Sequence, residues 1–175
     1  MRETTFRTFG KELTPQEAVS RIIRDVRDDG DNAVRYYNAA FDKAHNKDLV
    51  VSKEEMDVAR KAVPDEVTEA LKYAAKRIKE FHEQQLRSIG LNFQANGLGQ
   101  MTRPLQRVGI YVPGTSAPLP STALMCAIPA RIAGVEEVYI ASPVLEDGSV
   151  PPTKLVAAEI AGVDAVYKIG GAQAI

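Results

Sequence analysis

The segment of residues 108–122 contains the groups best suited to hold a ligand. An apolar run ends at Tyr111 and is followed by Pro113-Gly114, two further prolines and then Ser121. In open α/β sheets ligands bind where the strands end, so a site is expected in this loop. The Tyr111 ring could stack on a planar ligand, and the Ser121 hydroxyl could hydrogen-bond to one. The alternative is a stiff surface connection in which Ser121 only caps the next helix.

A second candidate segment is Gly170-Gly171-Ala172-Gln173, which follows an apolar run. Glycines between a strand and a helix let the backbone approach a ligand closely, and the helix amino end favours anionic groups. The Gln173 amide can both donate and accept hydrogen bonds. The spacing is not the Gly-x-Gly-x-x-Gly fingerprint of dinucleotide-binding proteins. A plain tight turn, with Gln173 capping nearby backbone, therefore stays open.

Residues typical of a self-contained catalytic or metal centre are missing from the sequence. The two histidines, His45 and His82, show no His-x-x-His spacing and lie far from the single cysteine. That cysteine, Cys126, lies in an apolar helical segment, where a buried and unreactive thiol is expected. We predict neither catalytic nor metal-binding residues in this chain. A lone cysteine also favours a reducing compartment, the cytoplasm.

The composition excludes several classes of partner. Of the 175 residues, 45% are apolar and 26% are charged, which is the balance of a folded globular protein. The 22 basic and 23 acidic residues give a net charge of −1, so no basic excess is available for binding nucleic acid. The polar amino terminus lacks the core of a signal peptide, and no apolar run approaches the ~20 residues that span a bilayer. We expect a small-molecule or protein partner, with no nucleic acid and no membrane.

Residues 1–90 are predicted to form a helical region. Thr14-Pro15-Gln16-Glu17 and Ser52-Lys53-Glu54-Glu55 are capping boxes, each of which opens a helix. The longest helix is predicted from Asp65 to Ile89. Its expected inward face consists of Val67, Leu71, Ala74, Ile78, Phe81 and Gln85.

Residues 91–175 are predicted to form a partial Rossmann-like α/β domain. Gly97 and Gly99 indicate a hairpin or an exposed connection in residues 92–100. Predicted strands at 108–112, 138–141 and 165–169 alternate with predicted helices at 121–133 and 152–161, as in a doubly wound parallel sheet. Continuously apolar strands indicate burial on both faces. The sequence stops as another helix begins, so we expect an incomplete sheet cut from a longer chain.

Several segments resemble histidinol dehydrogenase in order and spacing. They are Gln100-Met-Thr-Arg-Pro104, Val108 to Gly114, Ser116 to Leu119, Ser121-Thr122, Pro129 to Gly134 and Gly170 to Ile175. Any one of these alone would be unspecific, but together they cover the whole second half in register. The helical first half is similar in pattern. Thr115 departs from the family, which commonly has a second glycine there.

The resemblance implies an oxidoreductase that converts L-histidinol to L-histidine through the aldehyde in two NAD-dependent steps, with bound zinc. It also implies a homodimer in which both subunits build each site. Tyr111 and Gln173 match NAD contacts of the family, and Ser121 matches a residue on the substrate side. The family's zinc ligands, from a Gln-x-x-His element and later Asp and His residues, and its Glu-His catalytic pair match positions beyond Ile175. We therefore expect this chain alone to be inactive.

Three alternatives stay open at this stage. One is a related zinc- and NAD-dependent alcohol dehydrogenase, such as a sulfopropanediol dehydrogenase. Another is a non-catalytic nucleotide-binding module that folds alone. The third is an assembly module whose exposed sheet pairs with another chain.

Overall fold

The computed structural model describes residue 6, residues 8–114 and residues 117–175. The departure at Thr115 lies outside the described residues. The fold is mixed α/β, as predicted: helices in the first half precede a short parallel sheet with its connecting helices. No helix of the described part is both long and apolar enough to cross a membrane.

The helices of the first half begin where the sequence predicts. α1 (Pro15–Asp29) and α3 (Lys53–Ala62) each start with a complete capping box, which satisfies backbone N–H groups that have no partner within the helix. α2 (Asp31–Asp42) follows α1 after Gly30, and α4 (Asp65–Ser88) is the longest helix.

The predicted hairpin is present between α4 and the parallel sheet. β1 (Phe93–Ala95) and β2 (Leu98–Gln100) pair antiparallel, with Ala95 opposite Leu98. The connecting residues, Asn96 and Gly97, both have positive φ, which matches the right-handed twist of a two-residue hairpin.

The second half forms a parallel sheet in the order β3-β4-β5. Its strands are β3 (Arg107–Tyr111), β4 (Glu137–Ser142) and β5 (Ala165–Lys168), joined by helices α5 (Pro120–Ile132) and α6 (Pro152–Ile160). Tyr111 pairs with Ala141, so the ends of β3 and β4 lie side by side. A short 3-10 helix, Ala172–Ala174, follows β5.

The outer edge of β5 is covered by residues 49–51 of the helical region. The Val51 N–H donates to the Val166 carbonyl at 2.9 Å, and the Lys168 N–H donates to the Leu49 carbonyl at 2.7 Å. These bonds satisfy backbone groups that an edge strand would otherwise expose.

The expectation of strands buried on both faces was wrong. Burial alternates along β4 and β5, and the side chains of Val138, Ile140 and Val166 lie in the core. The opposite face, which carries Tyr139 and Tyr167, is half-exposed because no described helix covers it. The apolar residues of the strands did not by themselves indicate which face of the sheet the helices cover.

One hydrophobic core joins the two predicted regions. Ala59 of α3 and Leu71 of α4 lie in the same cluster as Leu124 of α5 and Ile140 of β4. A smaller cluster between α1 and α2 contains Ile22, Ala33 and Tyr37. The boundary near residue 90 thus separates two regions that differ in sequence pattern but pack into one hydrophobic core.

Two predictions of burial within helices were wrong. Phe81 on α4 is 65% exposed, and Val67 and Gln85 are also exposed, because α4 turns Leu71 and Ala75 inward. Cys126 is exposed as well, since α5 buries Ala123, Leu124, Ala127 and Ile128 on its other side.

Candidate functional site

The two candidate segments meet at the carboxyl end of the sheet. The Gly171 backbone N–H donates to the Tyr111 hydroxyl oxygen at 3.1 Å. Tyr111 ends the first strand of the sheet, and Gly171 follows the last. The structure therefore brings Tyr111 and the diglycine turn into direct contact, although 60 residues separate them in sequence.

The diglycine turn has a backbone that only glycine adopts readily. Gly171 has φ 59° and ψ −161°. A Cβ at Gly171 would lie 2.5 Å from the Gln173 Oε1 atom, and a Cβ at Gly170 would lie 2.8 Å from Asp42 Oδ2. The turn is thus closely packed against polar side chains on both sides.

Gln173 is buried beneath this turn, with 5% of its surface exposed. Its Nε2 donates to the Asn38 Oδ1 atom at 3.2 Å, whereas its Oε1 has no protein donor within the described residues. A buried amide oxygen without a donor is unfavourable, and such groups in native proteins usually contact water or a ligand. Gln173 therefore presents an acceptor beside the turn.

Two residues of α2, neither of them predicted from the sequence, belong to the same site. Asn38 is 1% exposed; it donates from Nδ2 to the Lys168 carbonyl at 2.8 Å and accepts from Gln173. The buried Asp42 Oδ2 also has no described donor, and burial raises the pKa of this carboxyl group. No local sequence pattern marks either residue as part of the site, because each lies more than 120 residues before the turn in the sequence.

Tyr111 also lines a groove on the uncovered face of the sheet. The groove encloses about 430 Å³. Its lining, here called the tyrosine groove, is Gly109, Ile110, Tyr111, Tyr139, Ile140, Ala141, Tyr167, Ile169, Ala174 and Ile175. The Tyr139 and Tyr167 rings pack edge to face, 5.9 Å apart. Aromatic walls of this kind suit a flat ring.

The structure does not bring all three predicted residues to one cavity. Tyr111 lines the tyrosine groove, whereas Gln173 lies beneath the turn and faces Asn38. Ser121 is exposed in the first turn of α5. The diglycine turn connects the surroundings of Tyr111 and Gln173, while no hydrogen bond joins Ser121 to either among the described residues.

Ser121 is not the cap of α5, so the capping role in the alternative reading was wrong. The cap position is Leu119, with φ 47°, because Pro120 occupies the first helical position. Before the helix, Gly114 has φ 88°, and a Cβ there would clash with the Ala117 carbonyl oxygen. Residues 115 and 116 between them lie outside the described part.

The described residues contain no group of three or more His, Cys, Asp or Glu side chains that could hold a metal ion. The site is instead made of amide, hydroxyl and carboxyl groups around a glycine turn. Such groups can bind and orient a ligand through hydrogen bonds.

Comparison with known proteins gives a consistent assignment. Residues 7–175 match the histidinol dehydrogenase family. The chain is 45% identical over 168 residues to histidinol dehydrogenase of Methanocaldococcus jannaschii, a match that covers 94% of this chain and 39% of that protein. It is 44% identical to the enzyme of Deinococcus radiodurans, covering 96% of this chain and 38% of that protein.

A solved structure agrees with the sequence matches. The crystal structure of histidinol dehydrogenase from Elizabethkingia anophelis superposes with a TM-score of 0.85 at 34% identity, covering 94% of this chain and 38% of that one. This chain spans less than two fifths of the length of these relatives, and it corresponds to their amino-terminal part. Because the family match covers nearly all of the sequence, the chain belongs to the histidinol dehydrogenase family of oxidoreductases.

Proposed function

We propose that this chain supplies part of the NAD-binding surface of an L-histidinol dehydrogenase, which makes L-histidine through the aldehyde in histidine biosynthesis. The observation that carries the proposal is the meeting of Tyr111 with the diglycine turn, above a Gln173 oxygen that accepts no bond from any described residue. These are the positions that the family resemblance assigns to NAD.

The polar groups at the turn fit a dinucleotide. Gln173 Oε1 and Asp42 Oδ2 are buried acceptors, and a nucleotide offers ribose hydroxyl and carboxamide donors. NAD, when bound, supplies the acceptor for the hydride removed from the alcohol carbon. In this proposal Tyr111 packs against the cofactor, Gln173 orients it, and Ser121 lies on the substrate side.

The described residues do not fit a zinc site, because no suitable cluster of ligands is present among them. We therefore derive no step through zinc from this chain. Removal of the hydroxyl proton also needs a base at the alcohol oxygen, and no described His-carboxylate pair lies at the turn. In the proposal, metal and base come from the remainder of a complete enzyme.

The test is NAD binding by the purified chain, measured by titration calorimetry. We expect saturable binding that weakens about tenfold in Gln173→Leu, because one buried hydrogen bond to the ligand is lost. Gln84→Leu on the exposed surface of α4 is the matched control and should bind as the unchanged chain does. With L-histidinol, NAD and zinc we expect no NADH from this chain alone.

Two results would contradict this proposal. Absence of saturable NAD binding by the folded chain would show that it has no cofactor surface. If Gln173→Leu bound NAD as tightly as the unchanged chain does, the cofactor surface would not include Gln173. NADH formation from L-histidinol would show that the chain is catalytically sufficient.

We also propose that the hairpin is a contact surface for a second copy, as the resemblance implies for a homodimer. Phe93, Leu98, Met101 and Leu105 are 57–75% exposed, although they are large apolar residues close together in sequence. Exposed apolar patches of this kind mark interaction sites.

Light scattering tests the homodimer. We expect the unchanged chain to be a dimer and Leu98→Glu to be a monomer, because a buried unpaired carboxylate opposes association. The control is Val58→Glu, which places the same charge at an exposed apolar residue of α3 and should leave the dimer intact. Dissociation by both variants, or by neither, would argue against the hairpin contact.

The compartment is part of the same proposal. Cys126 is an exposed free thiol and the single cysteine of the chain. Free exposed thiols persist in reducing surroundings. We place the protein in the cytoplasm on this ground.

A further inference from the structure

Lys154 on α6 is a buried lysine that the proposed function does not use. It is 0% exposed, and its neighbours Leu155 and Val156 are also buried. Its Nζ donates to the carbonyl oxygens of Val112, Pro113 and Gly114 at 3.2, 3.2 and 2.8 Å, respectively. It also donates to the Ser142 Oγ atom at 2.8 Å.

No described carboxylate forms an ion pair with this ammonium group. Three ion pairs form among the elements around α6, and none involves Lys154: Arg60 binds Glu159, Arg131 binds Asp164, and Lys168 binds Glu55. Burial lowers the pKa of the Lys154 ammonium to about 8. Among the described residues its charge is therefore balanced by carbonyl and hydroxyl dipoles.

Such an arrangement indicates a specific role for the polar end of the side chain. Burying an ammonium group without a counter-ion is unfavourable, and an apolar side chain of similar length would fill the same space at lower cost. What the ammonium adds is three N–H donors, which it shares among three successive carbonyls and one hydroxyl.

These bonds join the ends of two neighbouring strands. The carbonyls belong to the turn that follows β3, and Ser142 is the last residue of β4. The turn starts directly after Tyr111, and Pro113 within it has no N–H with which to bond. Lys154 thus fixes the backbone that continues from the tyrosine of the candidate site.

We propose that Lys154 is the positioning residue of the turn at residues 112–114 and, through it, of the cofactor surface at Tyr111. The second part rests on the proposed function, whereas the first stands without it. Lys154 touches no ligand in this assignment; it acts through the backbone that it holds.

The first test compares amide hydrogen exchange in the unchanged chain and in Lys154→Met. We expect protection of the Val112 amide, which donates to the Ala141 carbonyl, to fall about tenfold or more, while amides of α1 and α2 change less than about twofold. Lys72→Met removes an exposed lysine that pairs with Glu69 and is the matched control. Unchanged protection at the turn in Lys154→Met would overturn the proposal.

A pH profile separates positioning from simple packing. Above the pKa of about 8 the neutral amine has one donor fewer, so turn protection should fall as the pH rises, and should not in Lys154→Met. Global stability should move the other way. Because the pKa is lower in the folded than in the unfolded chain, deprotonation relieves the burial cost, and the free energy of unfolding rises above pH 8 relative to Lys154→Met. If amide protection at the turn and the free energy of unfolding both rose, or both fell, as the pH rises, the positioning role of Lys154 would be overturned.

The NAD affinity of Lys154→Met completes the experiment. We expect it to be about tenfold weaker than that of the unchanged chain. If the unchanged chain binds no NAD, the proposed function fails, and the exchange data alone decide the role of Lys154. If turn protection falls but NAD affinity is unchanged, the link to the cofactor surface is overturned.

A second variant covers the case in which Lys154→Met does not fold. Ser142→Ala removes one of the four oxygen atoms around Nζ and leaves the ammonium in place. We expect a smaller loss of protection, about threefold, at the Val112 amide. No loss there would contradict the proposal independently.

Discussion

Replacing Asn38 with leucine is expected to lower the free energy of unfolding by about 2–4 kcal/mol. The leucine fills a similar volume but cannot donate to the Lys168 carbonyl or accept from the Gln173 amide. Both partners lie in buried residues, so each would lose its bond without gaining water. Urea denaturation followed by circular dichroism measures the change.

Asn32→Leu on the same helix is the matched control. Asn32 is exposed, and its amide bonds to Asp29 at the surface, so we expect a change within about 0.5 kcal/mol. An equal loss in both variants would show that the buried bonds of Asn38 do not explain the effect. A loss confined to Asn38→Leu would establish that α2 is bonded to the end of the sheet.

Gly171→Ala is expected to cost about 2–4 kcal/mol of stability. At φ 59° and ψ −161° an L-residue is strained, and the added Cβ would lie 2.5 Å from Gln173 Oε1. The Gln173 side chain must then move, so the variant should also lose NAD affinity. Thermal unfolding and NAD titration on the same sample check both expectations.

Gly162→Ala separates backbone strain from the steric clash. Gly162 also has positive φ, 73°, but a Cβ there would meet nothing within 4 Å. We expect a cost of about 1 kcal/mol, from the backbone alone. If the two glycine variants unfold at the same denaturant concentration, the contact with Gln173 contributes nothing to the stability cost of Gly171→Ala.

The sequence predicted those parts of the fold whose cause is local. The capping boxes at Thr14 and Ser52 satisfy the helix ends by bonds across three residues, so pattern and structure coincide. The hairpin at Asn96-Gly97 is likewise determined by two residues. For the site, apolar runs ending in Tyr111 and in the diglycine placed both segments at one edge of the sheet.

Burial and long-range contacts could not be predicted in the same way. Cys126 and Phe81 lie in helices whose apolar residues exceed what one covered face needs, so the exposed face cannot be chosen from composition. Asn38 and Lys154 look like ordinary polar residues of amphipathic helices. Their roles depend on backbone carbonyls 40 or more residues away, which no local pattern encodes.

The segment of residues 49–51 along β5 determines on which side this sheet can widen. Because the β5 edge is occupied, an additional strand can pair only at the other edge, beside β3, where the described residues place no neighbour. Successive strands would then be added to the sheet on both sides of β3. The point where the strand order changes direction would lie at the carboxyl end of β3, beside Tyr111. Crevices at such reversals are where sheets of this type receive nucleotides.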